Sequence, residues 1–343
     1  MLTQERGALA PRSFFDTMKT LAITMGDPAG IGPEIIAGAW EQLQTIPDCR
    51  CVVYGHPEVM RRAMMLRNIN TDIDCVTCCG DDVLEVLPGT IDARAGQAAY
   101  SAIQRAIDDA QNNIVDAIVT APIHKAALHR AGYHYPGHTE IFAERCGVSN
   151  YAMMLYLGAG ENITGQHGLA VVHVTLHTAM KTIFEQITIE SVLAKIRLAN
   201  DFMQRIISSA VCRLPSAVSI GVCSLNPHAG EEGLFGDEET RIIRPAIEKA
   251  IAEGLQVEGP QPADTIMLDA RDGKYDAIVA MFHDQGHIAL KLLGMYRAVN
   301  ITLGLPIIRT SVAHGTAFDK AWQGVADPGS LLEAVRVAVK LCG

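Results

Sequence analysis

The sequence predicts an α/β fold built around a mostly parallel sheet. Three apolar runs near the start of the chain, at 21–25, 51–54 and 117–120, have the length and composition of buried strands. Helical patterns at 56–66 and 94–111 separate them. Strands that alternate with helices form parallel sheets, because each helix returns the chain to the edge where the next strand begins.

The same alternation continues through the rest of the chain. We expect strands at 153–157, 169–175, 217–223 and 277–281, and helices at 188–208, 238–252 and 330–341. Residues 135–140 introduce a further helix with Thr139 as its N-cap, and the Pro-Ala-Asp-Thr segment at 262–265 precedes another.

Composition restricts the possible functions. Hydrophobic residues make up 49% of the 343 residues and charged residues 19%, so the chain can bury a sizeable core. The net charge of −10, with no basic stripe, argues against nucleic-acid binding. An anionic small substrate remains possible, because local Lys and Arg residues matter more than the sum.

The cysteines and the apolar runs indicate the compartment. Nine cysteines are scattered along the chain, and the single CxxC at 75–78 has no second pair to complete a zinc site. Reduced thiols in the cytoplasm explain them more simply. No apolar run reaches the roughly 18 residues of a membrane span, and no signal-peptide core is present. We therefore expect a cytoplasmic protein that does not bind membranes.

Three histidines follow three separate predicted strands: His177, His228 and His283. Imidazoles drawn from distant strand ends are typical of open catalytic metal sites, which keep coordination positions for substrate oxygens. A single histidine of this kind is more often a cap or a core residue, but three at equivalent positions favour a metal. Asp264 and Asp284 are candidates to orient the imidazoles, or caps of their helices.

Two cationic side chains lie near the last of these histidines in the sequence. Arg309 suits phosphate or carboxylate recognition, and Lys291 can also exchange a proton. Arg309 follows the apolar segment 303–308, so we expect it not to be a solvated surface charge. For His287 and His314 the sequence leaves structural and functional roles equally open.

A Gly-rich loop at 26–35 follows the first predicted strand. Such a loop can bring backbone N–H groups to an anion. It matches neither GxGxxG nor a Walker motif, however, and a tight structural turn explains it equally well.

Seven further motifs stand out along the chain: ITMGDPAGIGPEI, TAPIHKAALHRAG, YPGHTE, LNPHAGEEGLFGDEE, PADT, MFHDQGH and VNITLGLPIIRTSVAHGTAFD. Together they resemble the 4-hydroxythreonine-4-phosphate dehydrogenase family of vitamin B6 synthesis. The resemblance extends from about residue 18 to the C-terminus.

The resemblance implies an isocitrate/isopropylmalate-dehydrogenase-like fold, with two α/β domains and an active-site cleft between them. We expect a flexible extension at 1–17, a first domain at 18–125 plus 297–343, and a second domain at 126–296 that carries the metal ligands and the dimer interface. It also implies a homodimer whose active site lies at that interface. NAD would bind in loops between the domains without a Rossmann fingerprint.

The resemblance also implies roles for individual residues. A divalent cation (Zn, Co, Ni or Mg) would be held by His177, His228 and His283, with ligands from both subunits. The substrate and its phosphate would contact His138, Thr139, Lys291, Asn300 and Arg309. The cofactor-binding candidates are Gly304, Leu305, His314 and Gly315, and the candidates for catalysis are Lys291, Asp264 and Asp284.

The reaction that the resemblance implies is oxidation of a CH–OH group by NAD, followed by decarboxylation. The substrate would be 4-hydroxythreonine-4-phosphate or 4-phospho-D-threonate/erythronate, and the segments GDEETRI, HDQGHIALKLLG and TAFDKAW are closer to the second branch. Oxidation of an aromatic cis-dihydrodiol carboxylate of the terephthalate type is the alternative. A non-catalytic metabolite-binding module and a phosphotransacetylase-like transferase on the same fold also remain open.

Overall fold

The computed structural model describes residues 18–208 and 217–343. Their backbone forms two compact units. The first unit contains the described residues up to Ser149 and Leu305–Cys342, and the second contains Asn150–Gly304. None of the helices in the described ranges has the length and apolarity needed to cross a membrane. The predicted extension at 1–17 lies outside the described residues.

The strands, in chain order, are β1 (Lys19–Thr24), β2 (Cys49–Gly55), β3 (Cys75–Thr77), β4 (Ala117–Thr120), β5 (Ala152–Leu157), β6 (Leu169–His173), β7 (Ser219–Cys223), β8 (Gln256–Gln261), β9 (Ala277–Ala280), β10 (Val299–Leu303) and β11 (Ile308–Val312). The α-helices are α1 (Gly32–Leu43), α2 (Pro57–Leu66), α3 (Ala93–Gln111), α4 (Lys125–Arg130), α5 (His138–Arg145), α6 (Ile183–Gln186), α7 (Ile189–Ser208), α8 (Arg244–Ala252), α9 (Ala263–Arg271), α10 (His283–Gly294) and α11 (Gly329–Leu341).

The first unit contains the strand order β3-β2-β1-β4-β11, and every neighbouring pair is parallel. The strands are apolar along their length because helices cover the sheet; β4, for example, is buried at all four positions. Helix α3 packs its alanine-rich face on this sheet, with Ile103 and Ile107 fully buried. Helix α11 lies against β11.

The second unit contains the strand order β10-β5-β6-β9-β7-β8. Its β6, β9, β7 and β8 are parallel neighbours, whereas the β10–β5 and β5–β6 pairs are antiparallel. The prediction of a mostly parallel α/β sheet is confirmed. The parallel strands bring the loops after β6, β7 and β9 to one edge of this sheet.

The unit boundaries differ from those predicted from the sequence. We expected the first domain to end at residue 125 and to resume at 297, but the units divide at Ser149/Asn150 and at Gly304/Leu305. Helix α5 stays with the first unit because Ile141 and Phe142 are buried in its core. Strand β10 stays with the second unit because it pairs with β5.

Two local predictions also differ from the structure. Thr139 is not an N-cap, since α5 begins at His138 and its N-cap position is Gly137. The predicted helix at 238–252 is divided into a π-helical turn, Glu239–Ile243, and α8. In both cases the sequence placed the helix correctly but missed how its first turn is built.

Candidate functional site

Two of the predicted metal-binding histidines lie side by side at one edge of the second unit. His283 is the first residue of α10, and His177 lies in the loop after β6. Their ring centroids are 5.8 Å apart. Together with Asp284 they line a cavity of about 480 Å³.

Asp284 is placed to orient the ring of His283. Its Oδ1 lies 2.6 Å from His283 Nδ1. A carboxylate at this nitrogen favours the tautomer with the proton on Nδ1, which leaves the lone pair of Nε2 for a metal ion. The donor chemistry of this histidine therefore fits a divalent cation.

His228 lies at the same edge of the sheet but lines a different cavity. It is an exposed residue in the turn Pro227–Gly233, which follows β7. It borders a cavity of about 700 Å³ whose walls also include Asp264 and Asp284. Within the ranges 18–208 and 217–343, no three His, Cys, Asp or Glu side chains are grouped closely enough to hold a metal ion. One chain thus brings His177 and His283 together, but not His228 with them.

Two further histidines lie behind this pair. The rings of His283 and His287 stack with centroids 3.8 Å apart, and His287 Nδ1 lies 3.1 Å from His173 Nε2. Burial lowers the pKa of His287 to about 4, helped by the charges of His283 and Lys291, and burial lowers the pKa of His173 as well. Both imidazoles are therefore neutral at pH 7.

The sequence pattern leaves the role of His287 open and predicts none for His173. The signal that could have found both is their spacing, because each lies four residues from a predicted metal ligand: His173 from His177 and His287 from His283. In α10 this spacing places His287 one turn from His283 and on the same face.

Lys291 and Asn300 also belong to the second unit. Lys291 is half-buried on α10, two turns beyond His283, and its charge contributes to the low pKa of His287. Asn300 lies on β10, and its Oδ1 is buried without a hydrogen-bond partner among the described residues. An unsatisfied buried carbonyl oxygen of this kind suits a donor from a bound molecule.

Arg309 is buried inside the first unit, with 1% of its surface exposed. Its Nη2 donates to Thr120 Oγ1 over 2.6 Å, at the end of β4, and the guanidinium lies 5.5 Å from the ring centre of Phe142. Burial lowers the pKa of Arg309 to about 9, against the opposing effect of Glu140, so the side chain is still charged at pH 7. The expectation that Arg309 is not a solvated surface charge was right.

His138 and Thr139 form the first turn of α5, next to this arginine. Burial lowers the pKa of His138 well below its usual value, and the charge of Arg309 lowers it further. Its Nε2 is buried and has no hydrogen-bond partner among the described residues, and the N-cap residue of this helix, Gly137, has no side chain to cap it. The N–H groups at a helix start, beside a buried guanidinium, suit an anion such as phosphate.

The four predicted cofactor residues divide between the two units. Gly304 directly follows β10 in the second unit and has a φ of +84°. A Cβ there would lie 2.3 Å from the carbonyl oxygen of Asn150, so the packing of this backbone is enough to require a glycine. Leu305, His314 and Gly315 belong to the first unit. His314 and Gly315 follow the carboxyl end of β11, where a parallel sheet commonly binds its ligand. That position fits a nucleotide-binding segment.

The Gly-rich loop at 26–35 is a structural turn that packs against the chain just after His314 and Gly315. Ile31 N donates to the carbonyl oxygen of Thr316 over 3.0 Å, and Trp322 Nε1 donates to that of Pro28 over 2.8 Å. A Cβ at Gly30 would lie 2.9 Å from that of Thr316. Since Ile31 N and other N–H groups of the loop bond within the protein, the turn, and not an anion site, explains the glycines.

The fold is found in known dehydrogenases. The structure of a beta-decarboxylating dehydrogenase from Thermococcus kodakarensis matches with a TM-score of 0.51 over 94% of this chain and 84% of that chain, at 16% identity. A likeness at this identity concerns the fold alone. The predicted isocitrate/isopropylmalate-dehydrogenase-like class is confirmed.

Closer relatives cover nearly the whole chain. The D-threonate 4-phosphate dehydrogenase of Pectobacterium atrosepticum is 43% identical over 340 residues, covering 94% of this chain and 99% of that protein. The 4-hydroxythreonine-4-phosphate dehydrogenase of Beijerinckia indica is 45% identical over 337 residues, covering 94% of each. The crystal structure of 4-hydroxythreonine-4-phosphate dehydrogenase from Klebsiella pneumoniae matches with a TM-score of 0.79 and 39% identity over 95% of this chain and 100% of that one.

The fold and these relatives define a dehydrogenase, an oxidoreductase that acts on a CH–OH group, and this class of enzyme indicates a nicotinamide cofactor. The family described as "Pyridoxal phosphate biosynthetic protein PdxA" matches residues 47–338. The chain belongs to that family, as its motifs predicted.

Proposed function

We propose that this enzyme uses NAD and a divalent cation to oxidise the 3-hydroxyl of a 4-phosphorylated four-carbon acid, which then loses CO₂. The substrates that we propose are 4-phospho-D-threonate or its erythronate epimer, and 4-hydroxythreonine-4-phosphate. The observation that carries the proposal is the buried charge of Arg309 beside the start of α5. The names of the relatives support a phosphorylated substrate.

The first unit supplies the proposed phosphate-binding group. A guanidinium in a low-dielectric environment binds an anion more strongly than one in water. Its bond to Thr120 and its contact with Phe142 fix the plane of the guanidinium, so that little side-chain entropy is lost on binding. The neutral His138 and the N–H groups of the first turn of α5 would supply further hydrogen bonds.

The second unit supplies the proposed metal-binding group. His177 and His283 would be ligands of one cation, and His228 of the partner subunit would complete the set. Zn²⁺, Co²⁺ and Ni²⁺ accept such imidazoles, whereas Mg²⁺ would need more oxygen ligands. A bound cation would polarise the alcohol oxygen and stabilise the negative charge that develops during decarboxylation.

We assign proposed roles to the remaining polar residues of the site and to the cofactor candidates. Asp284 holds the ring of His283, and Asp264 borders the larger cavity together with His228. Lys291 is the proposed proton carrier, since it lies on the same helix as the metal ligand His283. Asn300 would bind the substrate through its amide. The segment with His314 and Gly315 would bind NAD, and Gly304 and Leu305 are further candidates to contact it.

We further propose a homodimer that uses the exposed face of α9 and α10. On this face 51% of Leu268, 59% of Ile288 and 82% of Leu292 are exposed, and all three line the larger cavity. Apolar side chains that border one cavity are costly in water and mark an interface. A second copy of the chain would cover them. Because the same cavity reaches His228, the partner would also complete the metal site.

The test is a substrate panel with NAD⁺ and added Co²⁺, followed by NADH absorbance and CO₂ release. The panel contains 4-phospho-D-threonate, 4-hydroxythreonine-4-phosphate, unphosphorylated D-threonate and a terephthalate-type cis-dihydrodiol. We expect turnover of a phosphorylated acid with release of CO₂, and a large loss of activity without the phosphate. Turnover of the dihydrodiol alone would refute the proposed substrate class.

A further inference from the structure

The loop that carries His228 has an unusual backbone conformation. Six consecutive residues have positive φ: His228 (51°), Ala229 (55°), Gly230 (78°), Glu231 (42°), Glu232 (56°) and Gly233 (97°). Only glycine adopts such angles without a steric penalty, and four of the six residues are not glycine. A strained conformation of this kind persists only where its surroundings hold it.

Glu239 holds the beginning of this loop. It is the first residue of the π-helical turn before α8, and only 2% of its surface is exposed. Its Oε1 accepts hydrogen bonds from Leu225 N over 2.8 Å and from Asn226 N over 2.7 Å. Its Oε2 accepts a third bond, over 3.0 Å, from Asn226 Nδ2. Three N–H groups thus donate to one buried carboxylate. The last of these donors belong to Asn226, two residues before His228.

The same carboxylate also contacts the loop beyond His228. A Cβ on Gly230 would lie 2.8 Å from Glu239 Oε2 and 3.0 Å from the carbonyl oxygen of Gly236, so a larger residue would displace one of them. Gly230 is buried, and its carbonyl oxygen accepts a bond from Phe235 N over 3.1 Å. Glu239 is therefore fixed against the chain on both sides of His228.

We infer that Glu239 is a positioning residue, which holds the left-handed turn in the one conformation that presents the imidazole of His228 to a metal ion. The inference rests on the proposed function, since it assumes that His228 is a ligand. Glu239 itself does not touch the metal or the substrate. Loss of the carboxylate would leave these N–H groups without their acceptor, so that the turn is free to change its conformation.

The test measures Co²⁺ binding by the purified full-length protein, by calorimetry and by the visible absorption of the bound ion. The variants are Glu239→Ala, Glu239→Gln and His228→Ala, with Glu238→Ala as the matched control. The control removes the same charge one residue away, from a carboxylate that accepts from the side chain of Asn226 over 2.7 Å and not from the backbone of the loop. Unfolding temperatures are recorded for every variant.

We expect Glu239→Ala to lower the Co²⁺ affinity about 10- to 100-fold, the range typical of residues that support metal ligands, and to change the absorption of the ion. Glu239→Gln keeps one acceptor oxygen for the two backbone N–H groups, so its affinity should lie between that of Glu239→Ala and the wild type. Glu238→Ala should bind Co²⁺ as the wild type does. If Glu239→Ala does not fold, the Co²⁺ affinity of Glu239→Gln alone tests the positioning role.

The outcomes separate this inference from the proposed function. If His228→Ala loses affinity while both Glu239 variants keep it within twofold of the wild type, His228 is a ligand and the positioning role is wrong. A fall in unfolding temperature without a change in affinity would also refute the positioning role, because Glu239 would then only stabilise the fold. If His228→Ala itself binds Co²⁺ normally, the proposed ligand set is wrong and the inference fails with it.

Discussion

Arg309 is the residue whose replacement best tests the phosphate-binding proposal. Arg309→Met keeps much of the apolar volume and removes the charge. A hydrogen bond to a charged group is worth about 1.5–3 kcal/mol. At about 1.4 kcal/mol per tenfold, we expect KM for the phosphorylated substrate to rise about 10- to 100-fold. The measurement is the initial rate of NADH formation against substrate concentration.

The unfolding temperature distinguishes this loss from damage to the fold. A buried charge costs desolvation energy, so the Met variant should unfold at the same temperature as the wild type or a higher one. The matched control is Arg145→Met, which removes an exposed arginine from α5 that pairs with Asp108. An equal rise in KM in both variants would contradict a specific role for Arg309.

The buried carboxyl group of Asp27 should make the stability of the folded protein depend on pH. Burial raises the pKa of this carboxyl to about 7, with a smaller contribution from Asp92, while the N–H of Ala29 opposes the rise. A pKa raised in the folded state means that the group stabilises the fold below pH 3.8, its ordinary pKa, and that this contribution disappears as the pH rises through about 7. The ionised form is therefore the destabilising one.

The variant Asp27→Asn isolates this effect from the histidines, whose lowered pKa values act in the opposite direction. The unfolding temperatures of variant and wild type are compared at pH 5 and pH 8. We expect the difference, variant minus wild type, to become more positive at pH 8, where the wild type must bury a charge. A difference that is the same at both pH values would show that Asp27 is not the titrating group.

At the scale of helices and strands, periodicity was a good guide. Strand β4 is the predicted segment 117–120, and α3 begins one residue before the predicted 94–111, because apolar runs and 3.6-residue patterns are local properties. The left-handed turn at 228–232 could not be predicted in this way. Its conformation depends on hydrogen bonds to Glu239, which follows several residues later and whose role no local pattern reveals.

The apolar face of α10 gives a test of the proposed dimer interface. Leu292→Glu places a charge at the most exposed position of that face, where a partner subunit would have to bury it. An unpaired buried charge costs several kcal/mol, so the proposed dimer should dissociate. The measurement is the molar mass in solution, by light scattering at several protein concentrations.

The matched control is Leu87→Glu, since 68% of Leu87 is exposed and this residue belongs to the first unit, not to the helices α9 and α10 of the proposed interface. That variant should keep the mass of the wild type. Dimers of normal affinity in Leu292→Glu would show that α10 is not the interface.

At the scale of the whole molecule, the sequence predicted the fold class and the family, but it gives no signal for the positions where the chain divides into two compact units. Composition gives no signal at residue 149, where the division is set by the burial of Phe142 in the first core and by the pairing of β5 with β10. For the same reason spacing alone could not show which histidines share a site. Within the described parts of the chain the rings of His177 and His283 lie close together, and His228 is not grouped with them.

This separation predicts that metal binding depends on assembly. If the partner subunit supplies His228, the dimer has three imidazoles for each cation and the isolated chain has two. We expect Leu292→Glu to bind Co²⁺ at least tenfold more weakly than the wild type, and dilution of the wild type to weaken binding as dimers dissociate. The measurement is Co²⁺ titration at protein concentrations above and below the dissociation point found by light scattering.

Chelator treatment tests the same dependence in a second way, because it removes the metal without changing the sequence. The wild type freed of metal should lose NADH formation and regain it with Co²⁺ or Zn²⁺, whereas metal-free Leu292→Glu should need a higher concentration of the same ion to recover. Leu87→Glu should recover as the wild type does. A monomeric variant that binds Co²⁺ with the affinity of the dimer would mean that each chain completes its own metal site, and that His228 serves another purpose.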